Sequence, residues 1–453
     1  MMLAHGVGSR GDLPLELWMF AWGSALAIVI SFMALGLLWT QPRLRKASEG
    51  RLLLALRDPE ADPPPARTGA DRAVDFLVAL ARLAGLALFA VSMWAGFFGV
   101  DDSNDNLLPV TLYVIVWVGA TLVNGLIGDV WRIVSPITTL ALIGRFLRRL
   151  LPGGASAGPR SEPPAWLGNW PAAAGLFVFL FYELAYPDGA SPRVLVWMLA
   201  VHTVISLVLA ARWGVQWIAD NEPLAVLLTR LAQMGAFFRS KAGLSVRAPM
   251  SGLAVMPTPT GTLATLLVVL GGTTFDGFKE SEAGRSVFGR PSGWGGAATL
   301  TLGLIASIVV ISLFYLIGIW WTTRVTGIDR KKAADAFTPS LDPIVFGYAI
   351  AHYAQLLVDE TQTFWFRLSD PGGKGWDLFG AADGQIDFNI ISVDLIAWIQ
   401  VLAILFGHVG AVVVAHDRSV ELFKAGESLR SQFAMLLVMV AYSTLGLWLL
   451  LNA

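Results

Sequence analysis

Residues 297–320 read AATLTLGLIASIVVISLFYLIGIW, a run of 24 residues without a single charged side chain. An α-helix needs about 20 consecutive apolar residues to cross the roughly 30 Å hydrocarbon core of a bilayer. Within hydrocarbon, every backbone N–H and C=O group must find its partner inside the protein, which a helix achieves on its own. This stretch therefore predicts a membrane-spanning α-helix.

Nine further apolar stretches resemble this one in length or composition. Together the ten predict an all-α, polytopic transmembrane helix bundle of about ten spans, which forms a single transmembrane domain over residues 1–453. The further stretches are Leu17–Trp39, Ala73–Phe98, Leu107–Ile127, Pro171–Tyr186, Val194–Trp213, Gly261–Phe275, Leu341–Val358, Ile391–Ala415 and Phe433–Leu451. Two more segments, Ile133–Leu151 and Leu224–Phe238, are interrupted by charged or polar residues. For both we expect interfacial helices on the inner surface.

The composition of the whole chain agrees with this prediction. Of its 453 residues, 55% are hydrophobic and only 14% are charged, which excludes an ordinary soluble enzyme and a disordered chain. The lipid bilayer is therefore the expected surroundings. A net charge of −1 gives no indication of a nucleic-acid partner. The absence of cysteine excludes disulfides, thiolate metal sites and iron–sulfur clusters.

The basic residues predict the topology. Loops at 40–72, 128–170, 214–260, 321–340 and 416–432 hold 23 of the 32 Lys and Arg residues. Because basic loops remain on the cytoplasmic side, both termini are expected to be extracytoplasmic. Residues 40–72 and 152–170 are then cytoplasmic linkers, and 359–389 form an extracytoplasmic loop rich in aromatic residues and glycine. Arg outnumbers Lys, which favours a bacterial protein and hence the bacterial inner membrane.

Three of the five histidines lie in the last third of the chain: His352, His408 and His416. Ionisable groups inside spans are costly and are functional candidates by default. His352 and His408 are predicted to lie at depths that differ by only a few Å, so their rings meet if the two helices pack. A shared metal ion and ordinary interhelical hydrogen bonds both remain open for this pair. His408 and His416, eight residues apart, would flank two ions, or share one if Gly407 and Gly410 distort the helix. His416 and Asp417 would equally suit a helix cap at the inner interface.

Carboxylates gather near the opposite, outer ends of the spans. Asp276 ends the short Gly261–Phe275 stretch, and Glu360 closes the span of His352. Imidazole and carboxylate groups together suit a divalent transition metal ion, which lowers the pKa of bound water. The sequence thus predicts His352, His408, His416 and Asp417 as metal ligands, with Asp276 and Glu360 as catalytic carboxylates. A solvated helix end is the better explanation for each acid taken alone, whereas for the acids together with the histidines the two explanations are nearly even. Gly271-Gly272 indicates either a broken helix before Asp276 or a packing face on an ordinary span.

Four motifs occur in this order along the chain: GDVWRIVSP (128–136), TTFDGF (273–278), AHYAQLLVDETQ (351–362) and GHVGAVVVAHDR (407–418). Together they resemble the bacterial integral-membrane family of fenitrothion hydrolase-like proteins. The resemblance implies hydrolysis of a phosphotriester bond in a lipophilic organophosphate. The matching positions are Asp276, His352, His408, His416 and Asp417. The first motif continues as IVSPI, where the family leads us to expect an Asn-Pro-Trp-Arg-like run.

The leading hypothesis from the sequence is a membrane-embedded, metal-dependent hydrolase of a lipophilic ester or organophosphate-type small molecule. One alternative is a non-enzymatic transporter of ions, protons or small molecules. Another is a redox subunit in which His352 and His408 ligate a haem. A partner membrane subunit and a homo-oligomer both remain open.

Overall fold

The computed structural model describes residues 17–58, 66–150, 161–289 and 291–451. The chain is mostly helical, at 73%, and contains seven helices long and apolar enough to cross a membrane. It is therefore a multi-pass membrane protein built as a helix bundle.

The described residues contain nineteen α-helices and three strands. The helices are α1 (Leu17–Leu38), α2 (Leu44–Ala47), α3 (Gly69–Phe98), α4 (Leu107–Val110), α5 (Ala120–Leu126), α6 (Trp131–Val134), α7 (Pro136–Leu150), α8 (Trp170–Leu184), α9 (Pro192–Trp213), α10 (Gln216–Asn221), α11 (Pro223–Leu231), α12 (Thr262–Glu280), α13 (Glu282–Phe288), α14 (Gly293–Thr326), α15 (Arg330–Phe337), α16 (Asp342–Ser369), α17 (Val393–Leu422), α18 (Ala425–Ser431) and α19 (Phe433–Leu451). The strands are β1 (Arg51–Ala55), β2 (Phe237–Ser240) and β3 (Gly243–Val246). A π-helix, Thr111–Gly119, joins α4 to α5, and 3₁₀ turns cover Ser251–Ala254 and Thr338–Leu341.

The predicted number of about ten spans is not confirmed. The seven membrane-length segments are Gly69–Phe98, Leu107–Leu126, Pro192–Trp213, Gly293–Thr326, Arg330–Ser369, Val393–Leu422 and Gly426–Gly446. The apolar part of α1 and the whole of α8 are shorter than a full crossing. The remaining stretch, now α12, ends in the polar sequence TTFDGFKE and has thirteen buried residues. It is a helix enclosed by protein rather than one that faces lipid.

The centre of the bundle is the antiparallel crossing of α16 and α17. Their backbones approach so closely that a Cβ on Gly347 would lie 2.5 Å from the carbonyl oxygen of Ala403. A Cβ on Gly407 would lie 2.8 Å from that of Pro343. Small residues allow such close packing between membrane helices. These glycines therefore fix the register of the two helices.

Helix α12 runs unbroken through Asp276 between α8 and α14. Gly271 lies against Ile308, and Gly272 lies against Leu180. The Gly-Gly pair is thus a packing face, and the broken helix considered from the sequence does not form.

Two other expectations need correction. Helix α16 continues to Ser369, so the predicted outer loop 359–389 begins only at residue 370. The ring of Trp376 in this loop stacks on Trp94 at 5.1 Å, which docks the loop on α3.

The predicted surface helix Leu224–Phe238 is instead α11, which ends at Leu231 and is largely buried. Its apolar residues face neighbouring helices rather than a membrane surface.

A small antiparallel sheet of order β1-β3-β2 was not anticipated. Strand β1 lies within 40–72, which was predicted as a linker, and it pairs with β3 from residues 243–246. The sheet therefore ties this segment to the 237–246 hairpin. Residues 59–65 and 151–160, which include most of the proline-rich and glycine-rich parts of both predicted linkers, lie outside the described residues. Both chain ends do so as well, and their extracytoplasmic location stays a prediction.

Candidate functional site

The most deeply buried contact between two ionisable side chains singled out by the sequence joins Asp276 to His352. Helix α12 carries Asp276 and α16 carries His352, and Oδ2 of Asp276 lies 2.8 Å from Nε2 of His352. Their side chains are only 2% and 5% exposed. Because a carboxylate accepts, the contact favours a proton on Nε2. Lys279, one turn along α12, places Nζ 3.4 Å from Oδ1 of Asp276.

Aromatic side chains hold the imidazole ring in place. Tyr348 stacks on His352 with 5.6 Å between ring centroids, and Tyr353 meets the same ring edge-on at 4.7 Å. The hydroxyl of Tyr348 donates to the carbonyl oxygen of Thr273 at 2.8 Å, which links α16 to α12. Nε1 of Trp117 lies 3.4 Å from the hydroxyl of Tyr353. Trp117 belongs to the π-helix, a conformation found often at functional sites.

Glu183 on α8 adds a second carboxylate to this cluster. It lies within electrostatic range of Asp276 and Lys279. Its Oε2 atom is buried and has no hydrogen-bond partner among the residues that the structure describes. Three helices thus bring two carboxylates, an imidazole and an ammonium group together in the protein interior. We call these four residues, Glu183, Asp276, Lys279 and His352, the acid–base cluster.

His408 does not join the cluster. It is buried on α17, and its Nδ1 donates to the carbonyl oxygen of Ile404 at 2.8 Å. In the antiparallel crossing, His352 lies five residues beyond Gly347 on one side, and His408 lies one residue beyond Gly407 on the other. At 1.5 Å per residue, about 9 Å separates the two histidines along the helix axes. The ring that His408 meets is that of Tyr442, at 5.8 Å between ring centroids, and a ligand shared with His352 stays a prediction from the sequence.

His416 and Asp417 lie together but in a different role. Oδ1 of Asp417 accepts hydrogen bonds from Nε1 of Trp39 at 2.8 Å and from the backbone N–H of Arg43 at 2.6 Å. His416 donates through Nε2 to the carbonyl oxygen of Trp39 at 3.0 Å. Both side chains are buried, and they fasten the start of α2 to α17. This arrangement matches the helix-cap interpretation of the pair.

The described residues contain no set of side chains that could serve together as ligands for the predicted metal ion. Glu360 is buried on α16, eight residues and about 12 Å beyond His352 along the axis. Over residues 17–58, 66–150, 161–289 and 291–451, no three His, Asp or Glu side chains form a group that could hold a metal ion. The divalent metal ion therefore stays a prediction from the sequence.

The sequence analysis missed a second buried ion pair. Arg230 on α11 donates to Asp342 at the start of α16 through Nε at 3.0 Å and through Nη2 at 2.6 Å. The side chains are 2% and 0% exposed. Arg230 was seen only as an interruption of an apolar stretch. A charged residue in such a stretch is itself the signal that a buried partner exists.

Arg230 also lines a cavity of about 530 Å³. Loops within 128–170 and 214–260, which the basic residues assign to the inner side, form most of its wall. Its polar lining residues include Asn169, Thr229 and Gln233. Polar surface thus reaches from the predicted inner face to the Arg230–Asp342 pair.

Comparison with models of protein families, with curated protein sequences and with solved structures found no match to this chain. The resemblance to fenitrothion hydrolase-like proteins therefore stays a prediction from short motifs. The site has to be interpreted from its own geometry.

Proposed function

We propose that this protein moves protons within the membrane, as a transporter of ions or small molecules whose cycle protonates and deprotonates the acid–base cluster. The observation that carries the proposal is the buried contact between Asp276 and His352. A carboxylate and an imidazole in hydrogen-bond contact exchange a proton readily, and such pairs inside spans are typical of proton relays. Lys279 supplies the compensating positive charge when Asp276 is ionised.

The ionisable residues of helix α16 support a proton route from the acid–base cluster toward the predicted inner side of the membrane. It carries Asp342 at its start and His352 ten residues later, which separates the two by about 15 Å. Asp342 pairs with Arg230, and Arg230 lines the cavity toward the predicted inner face. Ionisable groups therefore occupy two depths of one helix. This layout suits a carrier whose access alternates between the two sides, since charged residues buried in membrane proteins usually mark such pathways.

The test uses the full-length protein in liposomes that contain a pH-sensitive dye. A potassium diffusion potential drives protons inward, and the initial rate of acidification is measured. We expect Asp276→Asn and His352→Gln to reduce this rate to that of protein-free liposomes, because each change removes one half of the proton-exchanging pair.

The matched control is His202→Gln. His202 also contacts a carboxylate, since its Nε2 lies 3.0 Å from Oε1 of Glu222, but this pair lies outside the acid–base cluster. The control should retain the rate of the unmodified protein. Equal rates for Asp276→Asn, His352→Gln and the unmodified protein would contradict the proposal.

Hydrolysis of a lipophilic ester or organophosphate is the second candidate. It is favoured because Asp276 and His352, two of the five positions in the family resemblance, do converge. A histidine oriented by a carboxylate is a suitable general base for water, and Lys279 would stabilise negative charge on a reacting oxygen. A chromogenic nitrophenyl phosphotriester in mixed micelles tests this candidate. Turnover that His352→Gln abolishes and His202→Gln preserves would support it, and assays with and without added divalent metal ions would show whether a metal takes part.

A further inference from the structure

A second cavity, of about 250 Å³, lies beside α3, α6, α7 and the junction of α9 with α10. Its lining contains three arginines, and neither Asp nor Glu lines it within the described segments. The residues that matter for the argument are Arg82, Trp131, Arg132, Arg145 and Gln216. We call this space the arginine pocket. It is separate from the acid–base cluster, and the inference below does not depend on the proposed transport.

Two hydrogen-bond donors in this pocket have no acceptor. Trp131 is 7% exposed, and its Nε1 atom has no partner among the residues described in the structure. The same holds for Nε of Arg82. Indole and guanidinium N–H groups only donate, so each buried group carries a desolvation penalty until an acceptor arrives. The chemistry that completes the pocket is therefore that of an anion with several acceptor oxygens.

The pocket is already formed by the packing of its walls. Gly85 lies one turn after Arg82 on α3, and it has no room for a Cβ because the carbonyl oxygen of Val134 lies against it. This contact holds α3 directly on α6. The backbone N–H of Trp131 donates to Oδ1 of Asn124 at 3.1 Å, which fixes the start of α6. The backbone segments that carry Arg82 and Trp131 are therefore held in place by contacts within the protein.

Two acids, Asp129 and Asp220, accept hydrogen bonds from residues of the pocket wall, although neither lines the pocket itself. Asp129 accepts from the hydroxyl of Thr229 at 3.3 Å and from the backbone N–H of Arg132 at 3.3 Å. Burial raises the pKa of Asp129, whereas the nearby positive charge of Arg132 acts to lower it. Asp220 accepts from the side chain of Gln216 at 3.2 Å. The lining itself therefore holds three arginines, and the two acids lie behind Arg132 and Gln216.

We propose that the arginine pocket binds a phosphate monoester or diester, the group shared by anionic lipid headgroups and soluble phosphate compounds. A guanidinium matches phosphate oxygens in pairs, and basic pockets between membrane helices on the inner side bind anionic headgroups. Helix α7 exposes Phe146, Leu147 and Leu150 next to the pocket. Such an apolar surface gives acyl chains a place to lie while the headgroup occupies the pocket.

The test is native mass spectrometry of the full-length protein in detergent, titrated with phosphatidylglycerol or phosphatidylcholine. A parallel arm measures thermal stabilisation by inorganic phosphate. Because a hydrogen bond to a charged group is lost, Arg82→Gln should raise the dissociation constant for the phosphate-bearing anion about tenfold or more. Trp131→Phe keeps an aromatic side chain, although a smaller one, and removes the indole N–H, so it should raise the constant about threefold. Arg212→Gln is the control, because Arg212 lies over Trp213 and does not line the pocket.

Each outcome of these titrations either supports or overturns phosphate binding in the arginine pocket. Preference for phosphatidylglycerol that Arg82→Gln removes supports the proposal with a lipid source. Stabilisation by inorganic phosphate with the same dependence supports it with a soluble source. If Arg82→Gln does not fold, Trp131→Phe gives the decision. Affinities that are the same in the unmodified protein, Trp131→Phe and Arg212→Gln would overturn the proposal.

Discussion

Loss of one member of the Arg230–Asp342 pair should be among the most damaging single changes in the bundle. Asp342→Asn leaves a guanidinium that is 2% exposed without its counter-ion, and it replaces one of the two oxygens that accept at 2.6 and 3.0 Å by an NH₂ group that only donates. Breaking a buried ion pair in this way costs about 3–5 kcal/mol, because the remaining charge is desolvated and uncompensated. The measurement is the free energy of unfolding in mixed detergent micelles, followed by circular dichroism during a denaturant titration.

The double variant Arg230→Met, Asp342→Leu distinguishes a lost charge balance from lost packing. It removes both charges and keeps apolar bulk, so it should be less destabilised than Asp342→Asn by about 2 kcal/mol or more. Hydrogen bonds between membrane helices average only about 0.6 kcal/mol when neither partner is left charged. A cost below about 1 kcal/mol for Asp342→Asn would refute the reasoning, because the pair would then behave as an ordinary polar contact.

Three further predictions concern the helix crossing, the inner cap and the outer loop. Gly407→Ala should destabilise the fold by about 1–3 kcal/mol in a thermal melt, because its Cβ would lie 2.8 Å from a backbone oxygen of Pro343. Gly426→Ala is the control and should melt like the unmodified protein, because open space surrounds Gly426. Equal melting temperatures of the two variants would argue against the close crossing of α16 and α17. Asp417→Asn should lower the stability of the fold by about 1.5–3 kcal/mol in the same assay, because it weakens charge-assisted hydrogen bonds to the start of α2. An unchanged melting temperature would exclude a capping role for Asp417. In the outer loop, hydrogen bonds from the backbone of Ala382 and the hydroxyl of Ser369 lower the pKa of Asp377 below its usual 3.8. The ionised Asp377 therefore stabilises the loop above about pH 4, and this stabilisation is lost as the pH falls through the lowered pKa. Pepsin should therefore cut the loop of Asp377→Asn at about pH 4, where the unmodified loop resists, and identical cleavage of both proteins would contradict this assignment.

The long apolar stretches were predictable because lipid imposes a simple length rule. Residues 297–320 lie inside α14 as expected, since nothing but a helix satisfies the backbone there. The rule fails for α12, which has a polar end containing Asp276 and is buried by its neighbours. Hydropathy measures composition, and it does not distinguish a lipid-facing helix from one enclosed by protein.

The small sheet was missed for a different reason. Strand β1, RLLLA, has only five residues and pairs with a strand almost 200 positions later. A short apolar run carries little periodic signal, and long-range pairing leaves no trace in local sequence. Only the folded chain shows that the segment is anchored.

The sequence predicted two residues of the candidate site, Asp276 and His352, but it did not predict that they contact each other. Asp276 and His352 were both singled out because ionisable groups in spans are costly. His352 was matched with His408 by depth, whereas the register of α16 on α17 is fixed by Gly347 and Gly407 and separates the two. Asp342 was not singled out because it lies at a helix start, where an acid is unremarkable in sequence.

Infrared difference spectroscopy of the protein during a pH titration tests the central claim most directly, because it detects protonation of a buried carboxyl group without any assumption about the transported substrate. The account predicts a carboxylic-acid band that appears as the pH falls, that is absent from Asp276→Asn, and that is shifted in His352→Gln. His202→Gln should leave this band unchanged. A spectrum of Asp276→Asn identical to that of the unmodified protein would contradict the claim that Asp276 and His352 share a proton.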